Sequence, residues 1–297
     1  MRRRPVTGRA QRIAVGVTEE PGGMVAVCWA AREAALRNRS LHLVYAQGGW
    51  PMSHLPIGVA AACPQPPPVE PAVDSALQTV AALEPDVDVT ACVYPAGPVQ
   101  LLLDQSRQAG MVVLGNQGGT VLDSMVGGTI CGALATRAPC PVVAVDGRPA
   151  WPDAPVVVAI TAAGTALPAI EFGFDMADRR GVPLILHQVA SDLRQRRRVC
   201  EDIARLAGNR ESCTRRHPDV AVDWHASYGD PMTELHKATA EAQLLIMGAP
   251  THGPAMSLIT RSATHELLRK PPCSMAVVPA NWCPPTTPAH GIPHPRD

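Results

Sequence analysis

The chain has 297 residues, with 26 Lys and Arg against 26 Asp and Glu, so its formal net charge is zero and no global cation surplus exists to neutralise a nucleic acid backbone. Hydrophobic residues make up 46% and aromatics only 3%, so two ordinary cores must be filled by Val, Leu, Ile, Ala and Met, the usual lining of a parallel sheet buried on both faces. No uncharged apolar stretch of about 18 residues is present to span a membrane. Neither nucleic acid nor a membrane is therefore an expected partner.

Residues 1–11 are basic, lack the apolar segment a signal peptide needs, and read as a disordered arm. Residues 12–17, RIAVGV, read as a buried first strand, closed by Thr18, Glu19, Glu20, Pro21 and two glycines. Residues 26–39 read as a helix, with Val27, Ala30, Ala31, Ala34 and Ala35 on one stripe and Arg32, Arg37 and Arg39 outside it. Residues 41–46 form the second strand. Residues 47–73 are too rich in proline for a central strand or helix interior and read as a surface loop. A helix over 74–83, a third strand over 87–94 and a helix over 99–109 lead into a fourth strand that ends at Gly115.

This alternation of helices and apolar strands predicts right-handed βαβ units and a parallel sheet. Ligands in such sheets sit beyond the carboxyl ends of the strands, where the strand order reverses. Thr18 follows one such end, and a glycine-punctuated loop follows another. In the run 112–129, VVLGNQGGTVLDSMVGGT, the glycines Gly115, Gly118 and Gly128 precede Thr129. The spacing is neither that of the Walker loop nor that of the dinucleotide fingerprint. Physically it suits an anion, because glycines let backbone N–H groups approach closely and Gly128-Thr129 opens a helix whose N-terminal end faces the same point. Thr129 suits both a cap and a hydroxyl donor to a phosphate oxygen. A glycine-rich turn without a ligand is the alternative, and Asp123 between the glycines needs no role beyond that of a loop carboxylate.

Gly115, Gly118, Gly128 and Thr129 match the G-x2-G-x9-G-[S/T] pattern of the universal stress protein family, which this chain resembles. IAVGVT at 13–18, the helix and strand at 26–46 and CPVVAV at 140–145 are similar to that family's first strand, first helix, second strand and last strand. The resemblance implies a Rossmann-like, adenine nucleotide alpha hydrolase-like α/β fold with a five-stranded, mainly parallel sheet flanked by helices. It also implies phosphate contact from Gly118, Gly128, Thr129 and Ile130, ribose contact near Gly115, and adenine held between Val17, Thr18 and Ala46. The family's first strand usually ends in Asp, where this chain has Thr18-Glu19-Glu20. Losing one charge-accepting hydrogen bond costs about 1.5–3 kcal/mol, or about ten- to a hundredfold in affinity. Glu19 or Glu20 is the candidate for a displaced carboxylate, and solvated loop charge is the alternative.

After residue 147 the pattern begins again. VVVAIT at 156–161 repeats IAVGVT, residues 169–189 repeat the first helix and second strand with Phe172 against Trp29, residues 244–268 repeat the glycine loop and its helix, and 273–279 repeat the last strand. The expected organisation is a disordered arm over 1–11, a first domain over 12–147, a linker over 148–155, a second domain over 156–280 and a disordered tail over 281–297. In the second copy Gly248 is kept and Ser262 replaces the hydroxyl residue, but Thr251 and Arg261 stand at the other glycine positions and fill the space of a phosphate. Its site reads as degenerate.

Nine cysteines are scattered without a C-x-x-C pair, and His187, His225, His252 and His265 lack ligand spacing, so neither a metal nor a nucleophilic triad is expected. RQRRR at 194–198 reads as a solvated helix face. All nine thiols are expected to be free and the protein cytoplasmic. The expected function is ATP binding in the first half, with or without Mg2+, in a stress-response regulator that is not an enzyme. The alternative is a nucleotide-free scaffold acting through protein contacts; weak ATP hydrolysis is a third reading for which no positioned base is evident. The last strands, 141–145 and 274–278, are expected to pair within the chain or between chains, as a pseudo-dimer or homodimer.

Overall fold

The computed structural model describes residues 12–47, 70–115, 130–147, 153–160, 166–190, 213–249, 267 and 272–284. In the first half, strands β1 (Arg12–Val17), β2 (Leu41–Ala46), β3 (Val89–Tyr94), β4 (Ala109–Gly115) and β5 (Val142–Val145) alternate with helices α1 (Pro21–Arg37), α2 (Pro71–Leu83), α3 (Pro98–Ser106) and α4 (Ile130–Arg137). The second half carries β6 (Val156–Ile160), α5 (Ala166–Arg180), β7 (Leu184–Ala190), β8 (Val222–Tyr228), α6 (Pro231–Ala238), β9 (Leu244–Gly248) and β10 (Ser274–Val278).

All ten strands join one sheet in the order β3-β2-β1-β4-β5-β10-β9-β6-β7-β8. Pairing within each half is parallel. The halves meet at the antiparallel pair β5 and β10, with Met275 opposite Ala144 and Val277 opposite Val142. The expected pairing of the last strands is thus made within the chain, and both apolar edges are satisfied. Two apolar layers cover the sheet: one contains Ile13, Val15 and Leu43 with α1, α2 and α5, the other Val112, Leu134 and Val142 with α3, α4 and α6.

Several local expectations need correction. Helix α2 begins at Pro71, inside the proline-rich stretch, because proline at the first helical position has no N–H to lose. Likewise α1 begins at Pro21, five residues before the expected start at residue 26. Ala35 is exposed, whereas the Arg37 side chain is buried with only 9% of its surface accessible, so the helix buries a second face that the stripe does not reveal. Strand β8 and helix α6 have no counterpart in the sequence reading. Cys92, buried on β3, is disulfide-bonded, which corrects the expectation that all nine thiols are free. Pairing of this kind follows three-dimensional proximity, and sequence spacing does not reveal it. Cys28, Cys140, Cys213 and Cys283 are free thiols, and Cys63 and Cys200 lie outside the described residues. So do RQRRR, the proline-rich stretch up to residue 69, and residues 1–11.

Candidate functional site

In the first half the strand order runs β3-β2-β1 on one side and β4-β5 on the other, so it reverses between β1 and β4. A crevice at the carboxyl ends of these two strands is where an α/β sheet receives a ligand. Val17 closes β1 with its side chain buried, and Thr18 follows it, exposed. Ala46 closes β2, Gly115 closes β4, and Ile130 opens α4. Five of the expected site residues therefore sit at strand or helix ends. Gly118, Gly128 and Thr129 lie outside the described residues.

Gly115 has a packing role that the motif does not disclose. A Cβ there would come within 2.6 Å of the Gly22 carbonyl carbon and 3.0 Å of the Gly23 nitrogen, with the Gly22 oxygen closer still. A Cβ on Gly23 would in turn meet the Thr18 backbone at 2.8–2.9 Å and its hydroxyl more closely. The end of β4, the first turn of α1 and Thr18 thus touch backbone to backbone, which only glycine permits. Helix α1 begins after Glu20 with no side-chain cap, and the Gly23 N–H donates to the Glu20 carbonyl at 2.9 Å.

The carboxylate at this mouth is Glu19. Its Oε1 accepts a hydrogen bond from the Tyr45 hydroxyl at 3.2 Å, and Gln47 donates to Glu70 at 3.1 Å beside it. Partial burial, then the hydrogen bond to Glu19 and the charges of Glu19 and Glu70, hold the Tyr45 phenol above its ordinary pKa. Sequence reasoning left Glu19 and Glu20 undecided and missed Tyr45. A phenol one position before the strand-end Ala46 was the available signal.

In the second half, β6 and β9 end at Ile160 and Gly248, whereas Thr161, Thr251, Arg261 and Ser262 lie outside the described residues. A polar group occurs between β7, β8 and α6. His187 Nε2 lies 3.1 Å from the Ser227 hydroxyl, and Glu234, which also bonds Ser227, receives Lys237 at 2.8 Å. The carboxylate bonds the serine, and among the described residues no acid accepts from His187 Nδ1 to orient the imidazole as a hydrolytic triad requires. Among the described residues no three His, Cys, Asp or Glu side chains are placed to hold a metal ion.

The sequence profile of the universal stress protein family matches residues 9–146 and again 154–279. The chain belongs to that family. Two universal stress proteins of Mycobacterium tuberculosis are among its relatives: one is 30% identical over 278 residues, covering 86% of this chain and 92% of the relative, the other 31% identical over 264 residues, covering 81% and 87%. The fold of a universal stress protein from Archaeoglobus fulgidus superimposes with a TM-score of 0.59 at 15% identity over 92% of this chain and 97% of that one. A Pseudomonas aeruginosa protein gives a TM-score of 0.62 at 14% identity, covering 91% and 92%. Both chains share the fold of this universal stress protein.

Proposed function

We propose that this universal stress protein binds an adenine nucleotide, ATP, in its first half and acts as a cytoplasmic stress-response regulator rather than an enzyme. The observation that carries the reading is the gathering of Val17, Thr18, Ala46, Gly115 and Ile130 around the point where the strand order reverses. Between Gly115 and Ile130 the sequence keeps Gly118, Gly128 and Thr129. In this reading the base lies against the ends of β1 and β2 at Val17, Thr18 and Ala46, the glycine loop offers backbone N–H groups to the phosphates, with or without Mg2+, and Thr129 adds a hydroxyl. Glu19, oriented by Tyr45, supplies an acceptor near the position where the family usually carries Asp. The reading divides the chain into nucleotide-binding residues 12–147 and a degenerate copy at 156–280.

A nucleotide-free scaffold is the second reading, and Thr18 in place of Asp is the observation that favours it. Mass spectrometry of freshly purified, denatured protein separates the two. Release of an adenine nucleotide at stoichiometric level supports the first, and its absence after ATP has been supplied throughout purification supports the second. Cytoplasmic residence faces its own check in the Cys92 disulfide. If that bond persists in the cell, thiol labelling of denatured, unreduced protein counts two fewer groups than labelling after reduction; equal counts return the chain to a reduced compartment.

A further inference from the structure

Helices α1 and α5 lie side by side across the seam between the halves and end in the same way. Asn38 (φ 50°) and Gly181 (φ +64°) take the left-handed conformation, and the next residue's N–H turns back onto the helix: Arg39 to the Ala34 carbonyl at 2.9 Å, Val182 to the Ala177 carbonyl at 3.1 Å. This helix ending favours an apolar residue at the turned-back position. Val182 obeys, at 5% exposure. Its twin in the first half is Arg39, a half-buried cation where the motif asks for a hydrophobe.

Among the described residues no carboxylate forms an ion pair with it. Arg37 pairs with Glu33 and, at 2.6 Å, with Asp175; Arg180 pairs with Glu33 at 2.5 Å, and Arg179 with Asp175 at 2.8 Å. Arg37 also lies over the Phe172 ring and Arg180 over the Trp29 ring, each guanidinium on the other half's aromatic. Among the described residues, both carboxylates of this cluster are engaged before Arg39 is counted. Burial, then repulsion from Arg179 and Arg37, depress the Arg39 pKa, and the attraction of Asp175 opposes them. The carbonyl ends of α1 and α5 offset about half a charge each, which leaves about one positive charge over when four guanidinium groups face two carboxylates.

We propose that this seam is a binding site for a small phosphate-type oxyanion, contacted by Arg39 and the 32%-exposed Arg179 side chain and backed by the fixed charges of Arg37 and Arg180. The planar guanidinium fork matches such an oxyanion. A small ion suits the place because Arg37 and Arg180 are only 9% and 12% exposed and leave Arg39 and Arg179 as the open contacts. The site stands at the helix ends of both halves, away from the strand carboxyl ends, and does not rest on nucleotide binding.

Calorimetric titration of the full chain with sodium pyrophosphate at fixed ionic strength tests it, in the wild type, Arg39→Val, Arg179→Gln and Gly118→Arg. Valine is the residue the twin ending already carries at Val182, so Arg39→Val is expected to fold. The proposal predicts binding to the wild type and to Gly118→Arg, weakened at least tenfold by Arg39→Val and by Arg179→Gln. No heat in the wild type overturns it, as does unchanged affinity in Arg39→Val. Binding lost in Gly118→Arg but kept in Arg39→Val assigns the ion to the glycine loop and also overturns it.

Discussion

At Gly115 packing fixes a motif glycine independently of any ligand. The Gly22 carbonyl occupies the volume that a Cβ would need, and a backbone atom moves only with its helix. Gly115→Ala is therefore expected to cost about 3 kcal/mol or more, read as a lower urea midpoint. The open position Gly147, with nothing within 4 Å of a Cβ, should tolerate Ala with no measurable change. His42 supplies a pH dependence. It is buried on β2, shares a hydrogen bond of 2.8 Å with the Thr90 hydroxyl, and is held by burial and then by the Arg12 charge at a pKa of about 4, down from 6.5. The unfolded chain takes up this proton first, so the contribution is complete above pH 6.5 and is lost as pH falls towards about 4, amounting to roughly 3 kcal/mol. Urea melts between pH 7 and 4 should show a shallower decline in His42→Gln than in the wild type; parallel curves would assign the decline to other groups.

Among the elements, α1 joins the candidate site to the seam. Its first turn abuts Thr18 and Gly115, and its last turns carry Glu33 and Arg37 onto α5. Glu33 is 1% exposed and accepts from Arg37 and Arg180, so Glu33→Ala leaves the buried Arg180 guanidinium without a carboxylate and Arg37 with Asp175 alone, and is expected to cost about 3 kcal/mol. Glu33→Met, which copies the twin residue Met176, should destabilise less if packing rather than charge dominates there, and thermal melts of the two variants rank the effects. Strands β1 and β2 were legible to the residue, since each is a short β-rich run bounded by loop residues. The second buried face of α1 was not. A helical stripe registers one apolar face, whereas Arg37 is buried because Asp175 and Phe172 arrive from residues far along the chain. Strand β8 escaped notice because it is an edge strand whose Asp223 and His225 stay exposed, giving no apolar run.

For the whole molecule, the internal repeat made the tandem architecture readable, and the apolar last strands made their pairing readable. The strand ends at Val17, Ala46 and Gly115 were equally accessible, because a strand's end can be located from its sequence. The Glu19–Tyr45 bond was not, since it joins two loop mouths that only the sheet brings together. One consequence of the shared sheet is that residues 12–147 alone would expose β5 and the α1 seam, so this half should self-associate in sedimentation velocity, while the full chain keeps that edge closed.

The asymmetry of the halves is tested most directly by calorimetric titration with ATP of the wild type, Gly118→Arg and Arg261→Gly. Nucleotide binding confined to the first half predicts one site in the wild type, none in Gly118→Arg, where a large side chain enters the phosphate space, and an unchanged first site in Arg261→Gly. A stoichiometry near two, or binding that survives Gly118→Arg, would contradict it, and no heat in the wild type would leave the nucleotide-free scaffold as the function.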